Sequence, residues 1–265
     1  MNFMEMVRKR WAKSTQVCVG LDPFPERFPT GVTDIFEFNK AIIDATASLA
    51  CCFKPQFAHY AAIGAESALK DTIKHIKSHY DVPVILDSKR GDIGSTATMY
   101  AKEAFEQYGA DAVTINPYMG SDTVMPFVEF EDRGVVILCR TSNPSAAEFQ
   151  NQLIDGEPLY IHIARKAQNE WNKNGNVSLV VGATAAEEMA NIRAVAPDLP
   201  FLVPGIGVQG GDLTATVKNG CFKSGNGLMI NSSRAILYAS SESNFAEAAY
   251  EETLKLKQAI NKLLS

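Results

Sequence analysis

Apolar residues in this chain gather into short, nearly unbroken runs, separated by longer stretches in which they recur every three or four positions. Eight runs stand out: QVCVGL (16–21), CCFKPQ (51–56), VPVILD (82–87), DAVTIN (111–116), GVVILC (134–139), VSLVVG (177–182), PFLVPG (200–205) and GLMIN (227–231). A strand with one face in water alternates apolar and polar residues. A strand covered on both faces does not, so these runs predict a buried parallel sheet. The stretches between them carry helical faces: Phe38, Ile42, Ala45 and Leu49; Ala65, Leu69, Ile73 and Ile76; Tyr100, Ala104 and Tyr108; Leu159, Ile163, Ala167 and Trp171; Ala249, Thr253, Leu256, Ile260 and Leu263. Eight strand-then-helix units in 265 residues predict a (β/α)8 TIM barrel, a single domain over 1–265 without a linker. An open doubly wound sheet is the competing arrangement.

Composition changes this picture little. At 46% hydrophobic and 21% charged, with a net charge of −5, the chain is an ordinary globular one. It has no block of like charges, so a nucleic-acid or membrane-surface role has no electrostatic footprint. The N-terminus MNFMEMVRKRWAKS lacks the apolar core of a signal peptide, and no run reaches a membrane span, so a cytoplasmic protein is expected. The five cysteines contain no CxxC pair, and four lie in strand-like runs. They read as buried, inert thiols in a reducing compartment. His75 and His79 lie on a polar helical stretch and read as a solvated face rather than a metal site.

The chemistry lies where the apolar runs end. VILDSKRGDIGST (84–96) passes at once from a core strand to Asp87, Lys89, Arg90 and Asp92. Positions two apart on a strand share a face, so Asp87 and Lys89 both point toward the barrel mouth. With Lys54 on the neighbouring strand and Asp92 after the turn at Gly91, the signs alternate, and each ammonium has a carboxylate beside it to keep it protonated. Polar residues follow the other strands at the same end: Asp22; Arg140, Thr141, Ser142 and Asn143; PGIGVQGG (204–211); NSSRAI (231–236). On a barrel that end is the catalytic face, and the loops after strands seven and eight are its usual phosphate position. Gly205, Gly207, Gly210 and Gly211 allow close backbone approach to an anion, the amides near Ser232 and Ser233 open a short helix, and Arg234 adds a charged contact. The long connections 22–33 and 140–158 belong to the same face, and 206–224 is the favoured lid.

D-x-K-x-x-D-I-x-x-T, here Asp87, Lys89, Asp92, Ile93 and Thr96, resembles the signature of the orotidine 5′-phosphate decarboxylase family, and the spelling DSKRGDIGSTA resembles its second type. GLDP around Asp22, FKPQ around Lys54, TSNPS around Ser142, PGIGVQGG around Gln209 and SSRAI around Arg234 follow in the family's order, over nearly the whole chain. Ser233 stands where many relatives of the other type have glycine. The resemblance implies conversion of orotidine 5′-monophosphate (OMP) to UMP in pyrimidine biosynthesis without metal or organic cofactor. It implies that Lys89 protonates C6, that Asp87 lies against the substrate carboxylate, and that Asp22 and Lys54 hold ribose hydroxyls. It implies too that Ser142 reads the pyrimidine, that Gln209 and Arg234 grip the phosphate, and that Pro204 and Ser233 complete the binding set. The resemblance further implies a homodimer in which Asp92, Ile93 and Thr96 are lent to the partner's site.

Three other readings compete. A sugar-phosphate decarboxylase or aldolase of the same suprafamily would use the acidic residues to coordinate Mg²⁺. A phosphate-ligand sensor would keep the cradle without chemistry. A structural ion-pair network would tie strand ends together and nothing more.

Overall fold

Successive side chains of a strand point to opposite faces, and here both faces meet apolar neighbours. In the computed structural model, which describes residues 1–206 and 210–265, eight parallel strands form one sheet: β1 (Val17–Leu21), β2 (Ala50–Pro55), β3 (Ile85–Arg90), β4 (Ala112–Ile115), β5 (Gly134–Arg140), β6 (Val177–Val181), β7 (Phe201–Val203) and β8 (Leu228–Ser232). Their order is β2-β1-β8-β7-β6-β5-β4-β3. The two edge strands then meet through the Phe53/Val84 and Gln56/Asp87 bridges, which closes the barrel. The doubly wound alternative, an open sheet, is thereby excluded.

Outward residues such as Val19, Phe53, Leu86, Val113, Ile137, Leu179, Val203 and Ile230 pack under the helices in one continuous core. The helices of the chain are α1 (Phe3–Trp11), α2 (Ile35–Thr46), α3 (Phe57–Ala61), α4 (Glu66–His79), α5 (Gly94–Lys102), α6 (Ser121–Val128), α7 (Ala147–Gln150), α8 (Leu159–Lys166), α9 (Ala186–Val195), α10 (Leu213–Gly220), α11 (Arg234–Leu237) and α12 (Phe245–Leu264), of which α1 and α7 stand apart from this outer core. Inward residues Cys18, Cys52, Ile85, Ala112, Val136, Val180, Leu202 and Met229 form a second core inside the barrel.

The hydrophobic pattern placed the strands well but not α1, which plugs the barrel's N-terminal end. Phe3, Met4, Val7 and Trp11 fall on one face and join the inner core. Asn2 and Glu5 cap the helix reciprocally, each side chain accepting from the other's backbone N–H. The Trp11 indole donates to the Leu228 carbonyl at 2.9 Å, tying the plug to β8. A Cβ at Gly134 would lie 2.2 Å from the Phe3 ring, so the start of β5 needs glycine.

Three details depart from the sequence reading. β3 runs three residues past 87, because Thr114 Oγ1 accepts the Lys89 N–H and Arg90 regains register opposite Ile115. Leu49 lies beyond α2, buried in the turn before β2. His75 is buried rather than solvated: its Nε2 lies 2.6 Å from Asp44, and Phe36 packs edge-on against its ring. The cysteines are free, and all but the half-buried Cys221 are buried. Among the described residues, no helix is long and apolar enough to cross a membrane.

Phe3 is 1% exposed and fills the plug. Phe3→Ala is therefore expected to cost about 3–5 kcal/mol, read as a lowered urea midpoint by circular dichroism.

Candidate active site

The C-terminal ends of β1 to β4 converge on Asp87. Lys54 arrives from β2, and Asp87 and Lys89 share the inward face of β3. Lys54 Nζ donates to Asp87 Oδ2 at 2.9 Å, and Lys89 Nζ donates to Asp87 Oδ1 at 2.6 Å. Asp22, just past β1, places Oδ1 3.9 Å from Lys54 Nζ. The row is therefore minus, plus, minus, plus: Asp22, Lys54, Asp87, Lys89.

Burial alone would strip the charge from both central groups. It works against the Lys54 ammonium, yet the carboxylates of Asp87 and Asp22 outweigh it and hold the lysine above its ordinary pKa. Burial likewise pushes the Asp87 carboxyl up, and Lys54 and Lys89 reverse this, leaving it well below the usual carboxylate range. Each charge is kept by its neighbours.

Thr114 of β4 is a member of the site that the motif did not reveal. Its hydroxyl donates to Asp87 Oδ1 at 2.9 Å, while its oxygen accepts the Lys89 N–H at 2.9 Å. It lies two residues after the inward Ala112, so counting by twos along DAVTIN would have found it. Lys89 has φ +45°, a left-handed conformation that costs about 1–3 kcal/mol outside glycine. The backbone thereby turns the ammonium back onto the carboxylate two residues earlier.

Beside this row, a cavity of about 190 Å³ is lined by Asp22, Lys54, Pro204, Gly205, Ser232, Ser233 and Arg234. Asp22 Oδ1 is buried there without a hydrogen-bond donor among the described residues. Such an acceptor suits a ligand hydroxyl. Ser233 immediately precedes α11, and Arg234, exposed, begins it without an ion pair to a described residue. Gly20 makes room for this wall, since a Cβ there would lie 1.8 Å from Ser233 Oγ. The glycine loop after β7 closes on itself through Gly211 N–H and the Gly205 carbonyl at 3.0 Å. Gly207 and Gln209 lie outside the described residues.

Two sets of expected residues fall elsewhere. Ser142 lines a neighbouring hollow of about 530 Å³ with Arg140, Asn143, Pro144 and Thr184. Its backbone lies against Gly182, where a Cβ would approach to 2.8 Å. Asp92 does not complete the charge row within this chain. The chain turns at Gly91, Asp92 accepts the Ile93 N–H at 2.8 Å, and Asp22 takes the fourth place. Ile93 is 51% exposed and Thr96 is also exposed.

A family model described as orotidine 5′-phosphate decarboxylase / HUMPS family matches residues 15–249. An orotidine 5′-phosphate decarboxylase from Janthinobacterium sp. (strain Marseille) is 51% identical over 271 residues, covering 100% of both chains. One from Dechloromonas aromatica (strain RCB) is 54% identical over 267 residues, covering 98% of this chain and 99% of that one. Among solved structures, Leishmania donovani OMP decarboxylase superposes with a TM-score of 0.88 at 37% identity, covering 100% of this chain and 99% of that one.

The site's stability should depend on pH in a definite sense. Asp87 titrates below an unfolded aspartate (about 3.9), so its stabilisation is complete above that value and is lost as pH falls through the folded one. At neutral pH, Asp87→Asn strands two ammoniums and should cost about 3–5 kcal/mol. Urea midpoints of both proteins should differ by a constant amount from about pH 7 to 5 and begin to converge only as pH falls below about 4.

Proposed function

This chain belongs to the orotidine 5′-phosphate decarboxylase / HUMPS family, and from that premise we propose how its barrel removes carbon dioxide from OMP. The reaction is a carboxy-lyase step that yields UMP for pyrimidine biosynthesis. Chain 1–265 acts as one barrel domain. The observation that carries the residue roles is the Asp87 carboxylate held between two ammoniums, at 2.9 and 2.6 Å.

Breaking the C6–carboxylate bond leaves its electron pair on C6, where the pyrimidine ring delocalises it poorly. Organic cofactors answer such a problem with an electron sink. Here fixed charge answers it. The Lys89 ammonium stabilises the growing negative charge at C6 and then delivers its proton there as carbon dioxide leaves. Asp87 aims that ammonium and lies against the departing carboxylate. Asp22 and Lys54 take the ribose hydroxyls, an assignment supported by the buried Asp22 oxygen that lacks a donor among the described residues. Gly205, Ser233 and Arg234 hold the phosphate with Gln209, and Pro204 walls the cavity. Ser142, in the adjoining hollow, reads the pyrimidine.

Enzymes lower barriers by about 8–23 kcal/mol, and one ammonium does not span that range. The phosphate site is remote from the reacting bond, so its binding energy is free to order the loops around the charges, although Leu213–Gly220 of the expected lid 206–224 form the helix α10.

The working unit is a homodimer in the cytoplasm. Asp92, Ile93 and Thr96 serve the partner's site, which accounts for their standing outside their own cavity. Exposed Ile93 just before α5 and Met99 on it, with Tyr118 and Met119 ahead of the adjacent α6, supply apolar contact. The Mg²⁺-dependent and sensor readings draw no support from the relatives.

EDTA-treated protein should convert OMP to UMP, followed by absorbance. Lys89→Ala should fold, bind UMP and lose at least about a thousandfold in kcat, as losses of well-placed charge do. Equal turnover by both proteins would remove Lys89 from its role. Dependence on added Mg²⁺ would favour the metal reading.

A further inference from the structure

Arg90 follows Lys89 and points the other way, out of the barrel. Its guanidinium forks onto the Glu103 carboxylate, Nε to Oε2 and Nη2 to Oε1, both at 2.9 Å. The same group lies 4.4 Å from the Phe57 ring centroid and 4.7 Å from that of Tyr100. Phe57 begins α3, directly after β2. Tyr100 belongs to α5, and Glu103 opens the wide turn Glu103–Gln107 that continues it. One side chain therefore joins the β2 exit, the end of β3 and the helix that follows. The Arg90 carbonyl also accepts the Asn116 N–H at 2.7 Å, fixing the strand end to β4.

We infer that Arg90 is a positioning residue for the reaction: its stacked fork locks the end of β3 so that Lys89 keeps the left-handed backbone that aims its ammonium at Asp87. The inference rests on the role given to Lys89 above. A strained residue persists only where its surroundings over-determine it. Lys89 is fixed on one side by Asp87 and Thr114, and Arg90 supplies the fixing on the other. Lys89 itself is nearly half exposed, so its own burial does not hold it. The lock needs arginine, because lysine neither presents a two-pronged donor nor stacks between two rings. A wide turn inside a helix is often a functional feature, and here it begins at the residue that receives the fork.

The test measures OMP turnover for wild type, Lys89→Ala, Arg90→Gln, Arg90→Lys and Glu103→Gln. Each kcat is divided by the fraction of sites that bind UMP in calorimetry, so loss of folded protein does not count. Displacements of about 1 Å near reacting atoms cost on the order of a hundredfold. Arg90→Gln and Arg90→Lys should therefore lose roughly 10- to 100-fold in corrected kcat, with KM and UMP affinity within about twofold of wild type. Glu103→Gln, which leaves β3 untouched, should move in the same direction and decides the matter if the Arg90 variants do not fold. Corrected kcat within about twofold of wild type in the folded variants would overturn the lock. So would full activity in Arg90→Lys alone, since charge without the fork would then suffice. An inert wild type, or a Lys89→Ala variant as active as wild type, would instead overturn the role of Lys89 and the lock with it.

Discussion

The Asp87 carboxylate lies between two ammoniums on adjacent strands, and the rest of the site depends on that contact. Lys54 and Asp87 are both nearly fully buried. Neither would stay charged alone, because taking one ion out of water costs several kcal/mol. Together, with Asp22 and Lys89 at the ends of the row, they hold opposite signs in fixed places where a lone group would neutralise. An enzyme that must meet a developing carbanion gains from charges already in position, because little reorganisation remains during the reaction.

The barrel divides this work around its rim. The charge row comes from β1 to β3, steadied by Thr114 of β4. The anion cradle comes from β7, β8 and their loops, and Ser142 sits between the two after β5. The apolar inner core and the α1 plug lie below as the floor of the mouth, and Cys18 of that core meets the cavity wall, its Sγ 3.5 Å from Asn231 Oδ1. Within the charge row, the left-handed backbone falls at Lys89, where it turns an ammonium onto its carboxylate. The neighbours that hold it lie on both faces of the strand.

Much of this was legible in the chain. Continuous apolar runs identified all eight strands, because a doubly covered strand leaves no polar alternation to confuse the reading. Asp22, Lys54, Asp87 and Lys89 were legible as strand-end residues and do meet. Thr114 was missed because a threonine inside DAVTIN reads as an ordinary β-branched strand residue, and only inward parity distinguishes it. α1 was missed because MNFMEMVRKRW interleaves its four apolar knobs with charges and precedes the first strand. Asp92 stands apart from the row of its own chain, where its carboxylate accepts the Ile93 N–H. Its place in an assembly depends on a second chain, which one sequence does not describe.

The central claim is that neighbouring charges outweigh burial and keep the row ionised. The direct measurement is a titration of the Lys54 ε-carbon by NMR, with ¹³C-labelled lysine and Lys54→Met for assignment. The account predicts no inflection for Lys54 up to and beyond the ordinary lysine value of about 10.4, because its two carboxylate neighbours raise it. An inflection below that value would mean that burial wins, that Lys54 is neutral for part of the working range, and that the fixed row of charges does not exist.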